Sequence, residues 1–356
     1  MFGGSYWNSD SGRGPAIGVM DTPAPAARVE RNAGPSLRVK VASTGFYAPP
    51  RVETAAELAP RIGQTEEWIV ARTGVRERRI TDEPLEVMAA RAARAALQSG
   101  GAPDLIINAS TTPRQLIPDS SVFIQRELGL DGIPSYSIHA TCLSFAVAFY
   151  NAAALVSAGA YRRVLVVSAE IGSIARNMDQ PESAALLGDG AAAAVLEPTP
   201  DEEASEILGW RMLTWPKGAE LTELRGLGQR RWPTHAATQP EDHLFSMDGP
   251  GIYRMARPKV HLLVRDLLAD LGLNVGDIDW VVPHQASGPG LELLPRIGFA
   301  IDRIVNIVGK YGNCVAASIP MALASLGASG RVRRGDRVML LGTGAGLSVG
   351  GMVLRW

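Results

Sequence analysis

Short apolar segments alternate with alanine-rich helical segments along most of the chain, and this alternation restricts the possible folds more than any other feature. In the first half, the pattern predicts strands at 37–48, 105–108, 135–140 and 163–169, and helices at 54–71, 86–98, 120–128 and 142–159. In the second half, it predicts strands at 280–282, 304–308 and 337–341, and helices at 260–271, 291–298 and 315–326. Strands of this apolar kind are buried on both faces. We therefore expect an α/β fold with helices on both faces of each sheet.

The two halves share an order of features that indicates an internal duplication. In each half a polar residue, Cys142 or Asn313, precedes an alanine-rich helix, and a basic turn and a buried strand follow. Two prolines and three acidic residues at 198–203 separate the halves, so we predict domains at 37–200 and 201–356. Residues 1–36 are rich in Gly, Pro, Ser and Ala and lack the apolar core of a signal peptide. They are predicted to be a flexible N-terminal leader.

Composition excludes several kinds of protein. With 46% hydrophobic residues among 356, the chain has ample material for a buried core and is not intrinsically disordered over most of its length. Its formal net charge of −1 lacks the basic excess of nucleic-acid-binding proteins. Two cysteines cannot form a disulfide framework, and the histidines lack metal-site spacing, so we expect a cytoplasmic protein without a metal. The uncharged stretch 140–161 contains polar residues and much alanine, which predicts a buried helix rather than a membrane span.

Cys142 lies where a predicted strand gives way to a predicted helix. Unpaired backbone N–H groups and the helix dipole at such a position favour a thiolate, the nucleophilic form of cysteine. Most free cysteines are instead small buried apolar residues, and Cys142 taken alone fits both descriptions.

His284 and Asn313 are the other candidate site residues. His284 directly follows a short buried strand, where α/β folds collect functional side chains, although a histidine bonded to the core backbone fits equally well. Asn313 follows a glycine and precedes a helix, which is also the pattern of an ordinary N-cap. The glycine-rich segment 342–346 has too little chain after it for a dinucleotide site. It is better suited to close backbone approach or to an oxyanion donor.

A thiol, an imidazole and an amide in this order suit two classes of enzyme that handle acyl groups. These classes are papain-like cysteine hydrolases and thiolase-like condensing enzymes. Papain-like enzymes carry the cysteine near the mature N-terminus of a disulfide-containing extracellular chain. Cys142 lies deep in a duplicated chain that has two cysteines, and this context favours condensation.

Several motifs resemble those of the β-ketoacyl-acyl carrier protein synthase III family, and they occur in the family's order between residues 37 and 356. They lie at 67–80, 140–142, 187–190, 283–286, 312–320 and 346–356. The resemblance implies a five-layered α-β-α-β-α thiolase fold made of two duplicated halves, and it implies a homodimer.

The resemblance also implies a ping-pong condensation. An acyl-CoA starter would acylate Cys142, with the backbone N–H groups of Cys142 and Ala345 forming the oxyanion hole for the acyl carbonyl. His284 and Asn313 would then hydrogen-bond the thioester carbonyl of malonyl-CoA or malonyl-acyl carrier protein. Two neutral donors of this kind stabilise the enolate that forms as CO₂ leaves. The enolate would attack the acyl-cysteine to give a β-ketoacyl thioester, and no further cofactor is implied.

Other positions receive roles around the substrates from the same resemblance. Trp68 would stack on the adenine of coenzyme A, and Arg72 would contact its phosphates. Ser287 stands where the family has an asparagine that places the pantetheine arm. Ile117 and Leu143 would shape the acyl pocket.

The sequence departs from the family pattern mainly around the acceptor. Besides Ser287, the stretch 288–290 lacks the arginine that contacts the carrier protein, and residues 181–183 replace an Arg-Gly-Thr that clamps adenine. Leu143 replaces a small residue, and Ile117 stands where a subgroup that condenses two long acyl chains has a glutamate. These departures indicate a specialised member in fatty-acid or polyketide-type biosynthesis.

Decarboxylative condensation is the leading hypothesis for the function. The alternative is an acyltransferase, or a thioester hydrolase, that releases the acyl group from Cys142 to an alcohol, an amine or water without forming a carbon–carbon bond. A third possibility is a scaffold subunit with an inactive site, although the intact Cys-His-Asn set argues against it.

Overall fold

Two sheets, each covered by helices on both faces, organise the part of the chain that the structure describes. In the computed structural model that part comprises residues 33–98, 100–226 and 228–356. Its strands are β1 (Val39–Tyr47), β2 (Arg51–Thr54), β3 (Glu77–Ile80), β4 (Leu105–Asn108), β5 (Ser135–Ser137), β6 (Val164–Ile171), β7 (Asp189–Pro198), β8 (Glu206–Gly218), β9 (Thr222–Glu223), β10 (Ser246–Met247), β11 (Trp280–Pro283), β12 (Arg337–Gly344) and β13 (Gly346–Arg355). Its helices are α1 (Ala55–Leu58), α2 (Glu66–Thr73), α3 (Leu85–Leu97), α4 (Ser120–Leu128), α5 (Ser144–Ser157), α6 (Pro181–Ala184), α7 (Gly249–Asp270), α8 (Gly288–Leu291), α9 (Leu293–Ile297), α10 (Val308–Tyr311) and α11 (Ser318–Ala328).

The two sheets repeat one strand order. The first has the order β1-β7-β6-β4-β5, with β4 parallel to β5 and β6, and β7 antiparallel to β6 and β1. The second has the order β8-β13-β12-β11, with β11 parallel to β12, and β13 antiparallel to β12 and β8. The expected duplication is therefore visible in the topology. All strands of the first sheet lie within 39–198, and those of the second lie within 206–355.

The predicted strand at 304–308 is wrong. Ile304 forms only an isolated parallel bridge to Val281, at the place that β5 occupies in the first sheet. The next backbone N–H groups bond to side chains, because Ile307 donates to Gln285 Oε1 at 2.8 Å and Val308 donates to Asn306 Oδ1 at 3.1 Å. Side-chain amides thus take the donors that a strand ladder would need.

Five layers follow from what each helix covers. The apolar residues of α5 and α11 pack in one cluster with residues of both sheets, so these two helices lie between the sheets. The outer face of the first sheet is covered by α3 and α4, and that of the second by α7 and α9. Within the stretch 140–161, residues Ser144–Ser157 form α5, which packs between the sheets as predicted for a core helix, with Asn151, Ala154 and Ser157 on an exposed side. Among the described residues, no helix has the length and apolar character needed to cross a membrane.

Several predicted boundaries change, among them the start of the helix expected at 260–271, which is at Gly249. The helix predicted at 54–71 is broken, because a 3₁₀ turn at Ala59–Ile62, with Pro60 in it, follows α1, and Gly63, with φ of 65°, ends that turn before α2 begins. The folded unit begins at Ala33, not at Leu37: Ala33 is buried and its carbonyl accepts a hydrogen bond from the Trp210 N–H at 3.0 Å. The remainder of the predicted leader 1–36, residues 1–32, lies outside the described residues.

Candidate active site

Cys142, His284 and Asn313 line one cavity, although they are far apart in sequence. Cys142 lies between β5 and α5, His284 directly follows β11, and Asn313 lies between α10 and α11. Because α5 and α11 share the central layer, the turns that lead into them meet at one end of it. The rest of the wall is mainly apolar and includes residues near the start of α7 and in α8 and α9: Phe245, Met247, Ile252, Leu291 and Leu294. Such a wall keeps water from the polar groups at the base of the cavity.

The backbone turn before Cys142 is strained and held in place by hydrogen bonds. Thr141 has a φ of 51°, a conformation that typically costs a β-branched residue about 1–3 kcal/mol. Its carbonyl accepts hydrogen bonds from the N–H and the hydroxyl of Ser144, at 2.9 and 2.6 Å, and from the Thr111 hydroxyl at 3.1 Å. The structure thus fixes the position from which the Cys142 side chain projects.

The Cys142 thiol is protonated at neutral pH, contrary to the thiolate expected from its position before a helix. Burial, the larger cause, and the nearby Glu170 carboxyl together raise the pKa of Cys142 to about 12. The backbone N–H groups of Cys142 and Ala345 donate to the sulfur and lower the pKa, but burial outweighs them. Both N–H groups named for the oxyanion hole therefore point at the reactive atom.

His284 is a neutral imidazole at the end of β11. Its side chain is buried, and burial lowers its pKa to about 4, so it carries no charge at neutral pH. Its backbone N–H donates to the Leu341 carbonyl at 2.8 Å, and Nδ1 has no partner among the described residues. Gln285 fixes the chain beyond it, because its Nε2 donates to the carbonyls of Pro283 and Val305 at 2.8 and 3.0 Å. The imidazole is thus held by its backbone while its ring remains free for a ligand.

The Asn313 amide is oriented by its own turn. Its Oδ1 accepts from the Val315 N–H at 2.9 Å, and its Nδ2 donates to the Ala286 carbonyl at 3.3 Å. An amide has two N–H donors, so one remains for a ligand in the cavity. The prediction that Asn313 is an ordinary N-cap is only partly right. The Asn313 side chain bonds within a short 3₁₀ turn, and α11 begins five residues after Asn313.

The glycine-rich segment 342–346 approaches the site with its backbone. A Cβ atom at Gly342 would lie 3.0 Å from the His284 Cβ, and one at Gly344 would lie 2.6 Å from the Thr141 hydroxyl. Glycine is needed at these two positions because the strand passes directly behind His284 and the turn that contains Thr141. This is the close approach predicted for the segment, and it places the Ala345 N–H in the site.

Of the five further residues that were given roles around coenzyme A and the acyl chain, the structure brings one into the cavity. Ser287 lines it, and its hydroxyl accepts from the Gly290 N–H at 3.1 Å as the N-cap of α8. Trp68 is half-buried and Arg72 exposed on α2, outside the cavity wall. Ile117 is 85% exposed on the loop between β4 and α4. Leu143 is buried behind the wall, where its side chain packs against Gly342, Gly344 and Gly350.

Glu170 and Thr111 are parts of the site that sequence reasoning missed. Glu170 is a fully buried carboxyl near the end of β6, and Thr111 lies in the loop after β4. One signal was available, since Glu170 directly follows the predicted strand 163–169, which was expected to be buried on both faces. Among the described residues, no cluster of His, Cys, Asp and Glu side chains is suited to hold a metal.

Comparison with known proteins decides the family. The chain is 33% identical over 330 residues to the β-ketoacyl-[acyl-carrier-protein] synthase III of Laribacter hongkongensis, which covers 89% of this chain and 99% of that protein. This chain belongs to the β-ketoacyl-[acyl-carrier-protein] synthase III family. Two models of the 3-oxoacyl-[acyl-carrier-protein] synthase III family match as well, one at residues 136–215 and a C-terminal one at 268–356. The chain is accordingly an enzyme.

Solved structures confirm the five-layered thiolase fold. The 3-oxoacyl-[acyl-carrier-protein] synthase III of Aquifex aeolicus superposes with a TM-score of 0.81 and 31% identity, covering 89% of this chain and 100% of that one. The priming β-ketosynthase of the R1128 polyketide biosynthetic pathway superposes with a TM-score of 0.80 and 32% identity, covering 93% and 98%. The structural relatives of this chain thus include both a 3-oxoacyl-[acyl-carrier-protein] synthase III and a priming β-ketosynthase of a polyketide pathway.

The raised pKa of Cys142 predicts how its alkylation depends on pH. We expect the rate of reaction with iodoacetamide to keep rising from pH 7 to pH 9.5, because the thiolate fraction is still increasing. Peptide mass spectrometry separates Cys142 from the buried Cys314, which serves as the internal control. A plateau below pH 8 would show that the helix and the N–H groups outweigh burial.

Proposed function

We propose that this enzyme catalyses decarboxylative Claisen condensation of an acyl-CoA starter with a malonyl thioester, giving a β-ketoacyl thioester. The observation that carries the proposal is the meeting of Cys142, His284 and Asn313 in one largely apolar cavity. Membership of the synthase III family supports the same reaction.

In the first step, Cys142 takes the acyl group. Its sulfur attacks the thioester carbonyl, the bond between that carbonyl and the CoA sulfur breaks, and the thiol proton ends on coenzyme A. The N–H groups of Cys142 and Ala345, which point at the sulfur, hold the negative oxygen of the tetrahedral intermediate. Because the resting thiol is protonated, the proton must leave during the attack.

In the second step, His284 and Asn313 stabilise the enolate. The malonyl carboxylate leaves as CO₂, and its bonding electrons form an enolate whose oxygen accepts from the imidazole and the free amide N–H. The enolate carbon then attacks the acyl-cysteine, and the released Cys142 sulfur takes up one proton. A neutral donor pair favours this step because a cationic imidazole would bind the malonyl carboxylate and oppose its loss. Each preorganised donor at a developing oxyanion contributes about 3 kcal/mol to catalysis.

Residues outside the cavity are proposed to contact the carriers of the acyl groups. Trp68 and Arg72 lie on α2, whose C-terminal Gly74 abuts Gly288 at the start of α8, next to Ser287. An acyl-CoA that enters beside Ser287 would therefore pass α2, where an aromatic ring and a cation are available for adenine and phosphate. The acceptor is malonyl-CoA or malonyl-acyl carrier protein.

A homodimer is proposed from the edge of the first sheet. Strand β5 ends the order of that sheet, so one side of its backbone has no strand partner among the described residues. Tyr136 on β5 is exposed, and so are Leu116, Ile117 and Val122 around the loop before α4. Pairing of β5 with a second copy would cover this surface and direct Ile117 toward the partner's acyl pocket.

Three alanine variants separate the two steps. We expect Cys142→Ala to abolish acyl loading, because no other residue of the cavity forms a thioester. His284→Ala and Asn313→Ala should still form the acyl-cysteine but extend it at least 100-fold more slowly, since each lacks an enolate donor. Intact-protein mass spectrometry measures loading, and product analysis with a malonyl thioester measures extension.

Surface variants of the same residue types serve as controls for His284→Ala and Asn313→Ala. His261→Ala on α7 and Asn151→Ala on α5 replace exposed side chains and should load and extend like the wild type. Retention of β-ketoacyl formation in all three site variants would refute the proposed roles.

The dimer proposal predicts the effect of a charge on β5. Tyr136→Arg should convert a dimeric wild type to a monomer in sedimentation analysis, because the arginine would be buried without a counter-charge at the paired edge. Ile301→Arg, at a residue that is 76% exposed and belongs to the other half, is the matched control and should remain dimeric. A monomeric wild type, or a Tyr136→Arg variant that stays dimeric, would contradict the proposal.

A further inference from the structure

Glu170 is a buried carboxyl that receives hydrogen bonds from two separate segments of the site. Its Oε1 accepts from the Thr111 N–H at 2.5 Å, and its Oε2 accepts from the Thr112 N–H at 3.4 Å. The Ala316 N–H, from the turn after Asn313, also donates to it. The side chain is fully buried and makes no ion pair with any described residue, so its contacts are with the site itself.

The segments that donate hydrogen bonds to Glu170 adjoin two residues with strained backbone conformations. Among the described residues, Thr141 and Val315 are the non-glycine residues with positive φ, at 51° and 45°, and both are β-branched. Thr141 precedes Cys142, and Val315 holds the Asn313 amide. Glu170 reaches the first turn through Thr111, whose hydroxyl donates to the Thr141 carbonyl, and the second through Ala316, which follows Val315. Strained residues of this kind persist only where neighbouring groups hold them.

The Thr111 hydroxyl has one proton and two possible acceptors. It donates to the Thr141 carbonyl at 3.1 Å, and it also bonds to the Glu170 carboxyl. When Glu170 is protonated, its O–H donates to the Thr111 oxygen and the Thr111 proton remains on Thr141, so every group is satisfied. When Glu170 is ionised, the carboxylate attracts the Thr111 proton and the Thr141 carbonyl loses a donor.

Burial favours the protonated form of this carboxyl. It raises the pKa of Glu170 to about 8, despite the backbone and hydroxyl donors that lower it. The ionisable groups that face Glu170 are two thiols, Cys142 from the turn before α5 and Cys314 from the turn before α11. A negative charge on Glu170 opposes the thiolate form of both.

We propose that Glu170 is a positioning residue which, in its protonated form, holds the Cys142 turn through Thr111 and the Asn313 turn through Ala316. The catalytic consequence rests on the proposed function, since it assumes that Cys142 is the nucleophile. The protonation state and the hydrogen-bond chain do not depend on any substrate.

The first test measures alkylation of Cys142 by iodoacetamide between pH 6 and pH 9.5 in the wild type and in Glu170→Gln. The amide cannot ionise and its NH₂ group can donate to the Thr111 hydroxyl, while its oxygen keeps the bond from the Thr111 N–H; only the longer bond from the Thr112 N–H, at 3.4 Å, loses its acceptor. We expect the ratio of the variant rate to the wild-type rate to rise about tenfold from pH 7 to pH 9, because wild-type Glu170 loses its proton over that range. A ratio that is constant with pH would overturn the proposal, and this test stands even if the enzyme accepts no acyl-CoA.

The second test measures acyl loading at pH 6.5, where Glu170 is protonated. Glu170→Leu, which fills the space without bonding, should load at least about tenfold more slowly, because small displacements of a nucleophile cost at least this much. Glu170→Gln should restore loading to within about threefold of the wild type. Circular dichroism and thermal unfolding identify any variant that is not folded.

Thr111→Val tests the chain of hydrogen bonds, because valine has the shape of threonine without the hydroxyl. It should slow loading, and combining it with Glu170→Leu should slow loading by less than the product of the two separate effects. Thr199→Val is the matched control: its buried hydroxyl donates to the Ser205 carbonyl, outside the site, and its loss should leave loading unchanged. Independent effects of Thr111→Val and Glu170→Leu would overturn the proposed chain.

Discussion

The packing of two alanine-rich helices between two sheets is the constraint on which the rest of the structure depends. Helices α5 and α11 have sheets on both sides, and their small side chains let the layers approach closely. Because the two halves repeat one topology, the turns before α5 and α11 are equivalent positions, and they meet at one end of the central layer. Cys142 occupies one turn and Asn313 the other. The active site is thus assembled where the duplication brings two equivalent turns together.

Burial also decides the electrostatics of the site. The thiol of Cys142, the imidazole of His284 and the carboxyl of Glu170 are all shifted toward their neutral forms, and desolvation is the main cause for each. A cavity whose thiol, imidazole and buried carboxyl favour their neutral forms is suited to a reaction whose intermediates carry a negative oxygen. Fixed N–H donors in an apolar cavity then stabilise that charge more strongly than water would.

Much of this arrangement could be predicted from sequence, because the pattern of apolar residues reports burial. It indicated the α/β class, the duplication and the buried helix at 140–161, and the order of Cys142, His284 and Asn313 suggested acyl chemistry. The strand at 304–308 was predicted wrongly, because Gln285 and Asn306 compete for its backbone donors. The charge state of Cys142 was also missed. It depends on the depth of the cavity and on Glu170, and neither can be read from residues near Cys142 in the sequence.

Release of CO₂ tests the central claim most directly. The wild-type enzyme is incubated with an acyl-CoA and a malonyl thioester that carries ¹³C in its free carboxylate, and both labelled CO₂ and products are counted. Condensation predicts one labelled CO₂ for each β-ketoacyl thioester formed, and no β-ketoacyl thioester with Cys142→Ala. Transfer of the acyl group to an acceptor with no labelled CO₂ would contradict condensation and favour simple acyl transfer.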